Sequence, residues 1–472
     1  MIRQIINKEV LEDILSLRFL LSLLLTVSLF AASGVMFASS YAAQLKDYSE
    51  KTNENLAALR EQSGKLYQLA FYKQKVYKKP RLLTCCAEGF EKSLPNCVRF
   101  DAFTSDLPEV QNEGNFSVPH FSDIDWVFIT SLILSFVALV FTYDSICGER
   151  EQGTLRLMLA GTIPRHEVLL GKYCAAMCTL GIPLCIGLLI SLIIVVSSKD
   201  VAVSPGEWLK TLTIVFLSFL YLSIFVLLGL FVSSRTAHSA NSMVILLLVW
   251  VGLVILMPSF GRIVSDVFSQ SPTQVDLRRK LDEASKRISD NADTFGENAT
   301  SVSSDVNSPI NNPPAHAKYG TAMMNARNQV IEEHHRKMLA QVFTGRSFTC
   351  FSPVVTYRRA SEAIAGSGLS HCVSLRQQIR QYQDDLKEYI RNEDAKDPNS
   401  LHLIFPEESC ARNWRTISHR PVAFGAVPKF QEREARLGES MQLAIWDIGL
   451  LAVFNVVFFA MAFVSFLRYD VR

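Results

Sequence analysis

Six stretches of the chain are apolar over roughly 20 residues and nearly free of charge, the length needed to cross about 30 Å of hydrocarbon. They run over Phe19–Phe37, Trp126–Tyr143, Tyr173–Val196, Leu209–Val232, Ser242–Met257 and Leu443–Phe466. Two long polar insertions interrupt them, about 38–125 and 259–442. The pattern predicts a polytopic α-helical membrane protein with six transmembrane helices. A mainly α domain is expected from the two insertions, one between helices 1 and 2 and one between helices 5 and 6. The divisions fall at 1–16 (an interface helix), 17–37 (helix 1), 38–125 (first insertion), 126–258 (helices 2–5, with a charged segment over 144–172), 259–442 (second insertion) and 443–472 (helix 6 and a short tail).

Finer periodicity fills in this outline. In IINKEVLEDILSL, Ile5, Val10, Ile14 and Leu17 share one helical face and Lys8, Glu12 and Asp13 lie elsewhere. That suits a helix lying on the membrane surface or a plain extension of the first span. The small residues of SSYAAQ after the first apolar run resemble a peptidase site, but the run is long for a signal peptide and an acidic stretch precedes it, so a retained anchor is expected. The first insertion opens with a polar helix, about Ala42–Phe71, and continues as an extended KVYKKPRLLTCC. The second has three helical stretches: LRRKLDEASKRI, TAMMNARNQVIEEHHRKMLAQVF and LRQQIRQYQDDLKEYI. The last carries an apolar stripe of Leu375, Ile379, Tyr382, Leu386 and Tyr389. A Ser/Asn/Pro-rich loop without periodicity separates the first two.

Charge adds direction. The net formal charge is only +2, which speaks against a nucleic-acid binder. Arg3, Lys8, Arg18, Arg150, Arg156, Arg165, Lys172, Arg235, Arg468 and Arg472 fall on one side of the predicted spans, whereas the opposite short loop, Ser197–Trp208, has only Lys199. The positive-inside rule then places both termini in the cytosol and both insertions outside. Of the 10 cysteines, Cys85, Cys86, Cys97, Cys350, Cys372 and Cys410 lie in the insertions, where disulfides are expected. The pairings Cys372–Cys410 and Cys97 with Cys85 or Cys86 are the expectation.

Candidate chemistry is mostly negative. The chain has no G-x-x-x-x-G-K-[ST] phosphate loop, and no catalytic residue or metal site is expected. Glu332-Glu333-His334-His335 is not H-E-x-x-H and reads as a solvated helix face. Cys174, Cys178 and Cys185 read as small residues packed between helices. For the vicinal Cys85-Cys86, copper(I) binding is the lesser alternative to disulfide chemistry. Asp144 and Asp447 sit near span ends and Asn455 is the one clearly polar deep residue, too little for an ion-coupled carrier. Any uphill work therefore needs free energy from a partner.

The charged segment between the second and third spans, GEREQGTLRLMLAGTIPRHEVLLGK, suggests where a partner attaches. Gly153 permits a turn, Leu155, Met158 and Leu159 share a helical face, and Pro164 ends it before Lys172 marks re-entry. The residues alone fit either a projecting knob or a loop that caps two helices. EREQGTLRLMLAGTIPRHEVLLGKY resembles the cytosolic coupling segment of ABC type-2 exporter permeases, on Glu149, Glu151, Gly153, Thr154, Pro164, Arg165, Leu169, Gly171 and Lys172. AEGFEKSLPN, DIDWVF and FSPVVTYRRASEAIAGSGL resemble segments of the subgroup with large extracytoplasmic insertions, some of whose members carry a multi-copper-enzyme maturation label; Cys85-Cys86 departs from that subgroup's pattern.

The resemblance implies an inner-membrane permease that pairs with a second permease, identical or related, and binds two copies of an ABC ATPase. ATP and Mg would be used by the ATPase, with no cofactor held by this chain. Docking is implied for Glu149, Arg150, Glu151, Gly153, Thr154, Leu155, Arg156, Met158, Pro164 and Arg165, with the N-terminal helix as a second contact. Apolar spans suit a lipidic or amphipathic cargo, yet the same chemistry serves a mechanotransmitter that moves none and acts on an extracytoplasmic partner protein. A third reading, from another class, is a non-transporting receptor with an outer sensing domain.

Overall fold

The computed structural model describes residues 2–89, 97–103, 124–155, 164–198, 201, 203–259, 274–296, 312–403, 412 and 415–468. Helices dominate. Helix α1 (Ile2–Ile14) is followed by α2 (Leu17–Gln62), α3 (Leu66–Phe71), strands β1 (Gln74–Tyr77) and β2 (Cys97–Phe100), and α4 (Trp126–Phe128). Then come α5 (Ser135–Thr142), α6 (Cys147–Glu151), α7 (Arg165–Val196), α8 (Pro205–Arg235) and α9 (Ser239–Trp250). Helices α10 (Gln274–Asp290), α11 (Pro313–Phe348), α12 (Pro353–Ala365), α13 (Leu369–Asp394) and α14 (Leu437–Leu467) complete the order.

Six helical runs are long and apolar enough to cross a membrane: Leu17–Gln62, Trp126–Glu151, Arg165–Val196, Pro205–Arg235, Ser239–Ser259 and Leu437–Leu467. Each contains one predicted span. The first corrects an expected boundary, because the span and the polar helix predicted after it are one 46-residue helix. No Pro or Gly falls between Met36 and Gln62, so nothing in the sequence breaks it until Ser63-Gly64. Its start is defined by Ser16, whose Oγ accepts the Phe19 N–H at 3.2 Å. That cap separates α1 from α2, so α1 is not an extension of the first span.

Helix α8 is the centre of the bundle, with an almost unbroken run of buried residues from Leu217 to Ser234. In lipid, apolar contact between helices has little driving force, and close packing with interhelical hydrogen bonds takes over. The Trp126 indole donates to Ser191 Oγ and the Trp250 indole to Ser135 Oγ, both at 2.9 Å. Asn455 donates to the Leu220 carbonyl at 2.9 Å, tying α14 to α8. Cys178 and Cys185 are exposed rather than packed between helices, correcting that expectation.

Two spans contain π-helical segments, Ile129–Leu134 and Val251–Leu256. A wider turn frees backbone carbonyls for outside donors. The Tyr221 hydroxyl donates to the Ser131 carbonyl and Ser352 Oγ to the Leu253 carbonyl, each at 2.9 Å. Ser352 leads into α12, which packs against the bundle although it belongs to the second insertion. Tyr357 of α12 is fully buried and stacked on Tyr221, with ring centroids 4.6 Å apart, and Arg359 pairs with Asp447 of α14 at 3.3 Å.

The rest of the insertions forms its own small cores. The end of α2 and α3 pack Leu59, Leu66 and Leu69 with Leu386 and Ile390 of α13. Strands β1 and β2 pair antiparallel, with Gln74 opposite Phe100 and Tyr77 opposite Cys97. The predicted stripe on α13 is buried through Leu386, after which Ile390 rather than Tyr389 turns inward. Helices α10 and α11 meet through Leu277, Leu281 and Ile331. Glu332 is not on a solvated face, since it pairs with Arg376 and Arg380 of α13. Cys85, Cys86 and Cys97 are free thiols, so the expected bridge from Cys97 is not made: Cys97 belongs to the strand pair, while Cys85 and Cys86 are buried with their sulfurs 3.6 Å apart. Cys410 lies outside the described residues, and with it the expected Cys372–Cys410 pair.

Candidate functional site

The second span ends at Thr142, and the backbone turns through a short link into α6. The N–H groups of Ile146 and Cys147 both donate to Ser233 Oγ, at 3.0 and 3.1 Å, fixing α6 to the Arg235 end of α8. Gly153 then adopts φ +77°, a left-handed conformation that disfavours a Cβ, and turns the chain. Leu155 follows and is only 1% exposed. It packs in the bundle core. Arg156 and Met158 lie outside the described residues. Pro164 is exposed and stands at the N-cap of α7, so it starts the third span's helix.

Both acidic residues have partners within the chain. Lys172 has a side chain only 1% exposed, between Glu9 of α1 and Glu149 of α6, with both N–O distances 2.9 Å. It is a buried cation shared by two carboxylates from separate elements. Gly171 makes room for this: a Cβ there would lie 2.8 Å from Ile5 Cγ2, so only glycine lets α1 settle against α7. The other oxygen of Glu149 is buried without a hydrogen-bond partner. A buried carboxylate held by one cation is costly to strip of it.

Glu151 faces another way. It accepts from Ser239 N–H at 2.9 Å and Ser239 Oγ at 2.8 Å, and meets His238 Nδ1 at 3.3 Å. A carboxylate there satisfies an otherwise orphaned N–H and favours the positive end of the α9 dipole. Arg165 donates to the Leu467 carbonyl at 2.7 Å, closing the end of α14. Arg18 pairs with Asp144 at 2.8 Å. Glu149, Glu151, Leu155 and Arg165 are thus engaged within the chain; Arg150, Glu151, Gln152, Gly153 and Thr154 are exposed, with Thr154 Oγ1 donating to the Glu149 carbonyl at 3.2 Å.

An open cleft of ≈ 560 Å³ lies beside them, lined by Arg150, Glu151, Gln152, Gly153, Leu155 and His238, with Ala237 between the two helices it borders. Behind it, Asp13 of α1 accepts from Thr179 Oγ1 at 3.2 Å. Burial pushes the Asp13 carboxyl up to about 6, aided by Glu9 and Asp144 and opposed by Thr179 and Lys172. Of the predicted apolar face, Ile5 and Val10 of α1 are partly covered, whereas Ile14 and, at the start of α2, Leu17 are exposed, so the face divides between two surroundings.

Sequence reasoning missed Glu9, Ser233, His238 and Ser239. Glu9 carried a weak signal, an acidic residue among apolar neighbours in KEVLEDIL; the serines carried none. No group of three or more His, Cys, Asp and Glu residues among the described residues is arranged to hold a metal ion. The arrangement offers a small exposed turn whose base is bolted to three other helices. A family model described as ABC-2 family transporter protein matches residues 3–471. Among curated proteins none matches the chain.

Proposed function

This chain belongs to the ABC-2 family of transporter proteins, and on that premise we propose that it is the permease subunit of an ATP-driven exporter whose ATPase docks in the cleft beside Gly153. The carrying observation is the seat of Lys172. A partner pressing on the exposed Arg150–Thr154 turn pushes on Glu149, and through Lys172 on both α1 and α7. The turn is too small to fold alone and is held rigidly at its base, as a lever must be. Nucleotide-driven movement of the partner would then bias the spans between two arrangements.

In this proposal the Arg235 end of α8 faces the cytosol, on the distribution of Lys and Arg in the short connections. Both termini share that side, the insertions lie outside, and the membrane is the inner one. Two permeases, identical or related, work with two ATPase copies that use ATP and Mg; this chain supplies no nucleotide site or catalytic residue. The large insertions suit the subgroup noted above.

One observation favours the mechanotransmitter as a second reading. Helix α2 runs unbroken from the bundle into the insertion domain, and α12 returns from that domain to pack on the spans. Motion of the spans would reach the domain with little slack. An outer protein that stimulates ATPase activity, with no cargo accumulating in vesicles, would favour this reading over export.

The test is retention of an ABC ATPase from the same cells by the tagged permease in detergent. Arg150→Glu and Gln152→Glu, both exposed, should reduce retention at least tenfold without lowering the permease melting temperature. If the unaltered chain retains no ABC ATPase, or a cysteine at Gln152 is labelled only from the side of the insertions, the proposal fails.

A further inference from the structure

At the end of α2 far from Leu17, about 69 Å along a 46-residue helix, the chain builds a second, unrelated hollow. The segment after α13 folds back over the α2–α3 turn: Leu66 N–H donates to the Arg420 carbonyl at 3.0 Å, Tyr67 N–H to the Ser418 carbonyl at 3.2 Å, and Val422 N–H to the Ser63 carbonyl at 3.0 Å. The hollow, ≈ 250 Å³, is lined by Asp397, Asn399, Arg415, Ser418, His419 and Arg420.

Backbone strain gathers here. His402 at φ +55° and Arg415 at φ +47° are the only non-glycine residues with positive φ among the described residues. Side chains enter that region at a cost, and it persists only where surrounding bonds impose it. Those bonds are present: Leu401 N–H donates to the Arg415 carbonyl at 3.0 Å and Leu403 N–H to the Thr416 carbonyl at 2.9 Å. An arginine, rather than the glycine such a backbone favours, points to a use for its side chain.

The acidic groups nearby are already engaged. Asp394 accepts from Ser400 Oγ and Ser418 N–H, both at 2.7 Å, and faces His402 Nδ1 at 3.0 Å. Asp397 accepts from Ser418 Oγ at 2.6 Å and Asn399 N–H at 3.1 Å, and meets Arg420 Nε at 3.4 Å. These bonds fix Arg420 and the 415–420 backbone. The Arg415 guanidinium makes no hydrogen bond among the described residues, and the Thr416 hydroxyl beside it is buried without a partner. Two guanidinium groups border the hollow, against one engaged carboxylate; Arg420 also donates through Nη1 to the Lys396 carbonyl at 3.3 Å.

We propose that this hollow binds the oxyanion of a small solute, a carboxylate or a phosphate, with Arg415 and Arg420 as the binding pair. The planar guanidinium fork matches both anions bidentately. The volume falls below the range of drug-sized pockets, which limits the ligand to a small molecule or the charged end of a larger one. The site is independent of the cleft at Gly153 and stands whether or not an ATPase docks there.

The experiment uses the full chain in nanodiscs, titrated separately with inorganic phosphate and with succinate by calorimetry, with chloride at matched ionic strength as control. The expected result is saturable, one-site binding of one probe, which also names the anion class. Arg415→Gly should weaken binding at least tenfold while leaving the melting temperature unchanged or higher, because glycine accepts the backbone without strain. Arg415→Lys, which keeps the charge and loses the fork, should fall between. Absence of saturable binding to either probe, an equal response to chloride, or unchanged binding in Arg415→Gly would overturn the proposal. Should Arg415→Gly lower the melting temperature, Arg415→Gln carries the test, and retained binding there overturns it.

Discussion

Two buried charge clusters, at opposite ends of α8, fasten peripheral segments to the span bundle, and they do so with inverted chemistry. Near Arg235, one cation, Lys172, is held by two carboxylates, Glu9 and Glu149. Near Pro205, where Lys210 Nζ donates to the Ala435 carbonyl at 2.8 Å, one carboxylate, Glu432, is held by Arg81 at 2.5 Å and His371 at 3.1 Å. The first cluster carries a surplus of acid and leaves one Glu149 oxygen unpartnered. The second carries a surplus of donors: Arg81 also bonds the Gly366 carbonyl at 2.8 Å, and its Nε is buried without a partner. The two joints therefore differ in the sign of their surplus, and each leaves one buried polar atom unpaired.

Removing the shared cation breaks this comparison most sharply. Lys172→Met strands two buried carboxylates, and the loss should be about 3–5 kcal/mol. It reads out as a lower unfolding midpoint in detergent together with exposure of α1 to protease. A smaller loss confined to α1, with the spans intact, would mean that the cluster fastens the helix without supporting the bundle. Glu432→Gln should cost less, about 2–3 kcal/mol, because Arg81 keeps the Gly366 carbonyl. Limited proteolysis of the 415–436 segment is the check, and α1 should be unaffected.

Acidity sharpens the contrast at smaller amplitude, since the two ends respond in opposite directions. Burial raises the Glu432 carboxyl, but His371 and Arg81 outweigh it and hold it at about 2, against an ordinary 4.5. Its stabilisation is complete above pH 4.5 and fades as pH falls through about 2. Asp13 is raised from 3.8 to about 6, so the folded state holds its proton more tightly than the unfolded one. Its contribution is complete below pH 3.8 and is lost as pH rises through about 6. Between pH 4.5 and 7, labelling of a cysteine placed at Ile6 should therefore rise by more than the increase in thiolate that a cysteine at Val427 reports. Asp13→Asn should flatten the first response.

Much of this was legible along the chain. Bilayer thickness sets the length of an apolar run, so all six spans were found from hydropathy alone, and the periodicity of Leu375, Ile379, Tyr382 and Leu386 located the buried face of α13. Local rules also placed the Gly153 turn. Their reach ended where partners are distant in sequence. Lys172 and Glu9 are 163 residues apart, and nothing in either neighbourhood distinguishes a buried lysine from one that reaches water at a helix end. Leu155 was equally ambiguous, because one apolar residue on a short helix serves a core or a docking face. Helix α12 is amphipathic whichever surface it covers, and only the stacking of Tyr357 on Tyr221 settles that it covers the spans. Hydrophobicity and helical period are properties of a segment, whereas the pairing of a charge or the covering of a face belongs to two segments at once, and the tertiary structure alone brings those together.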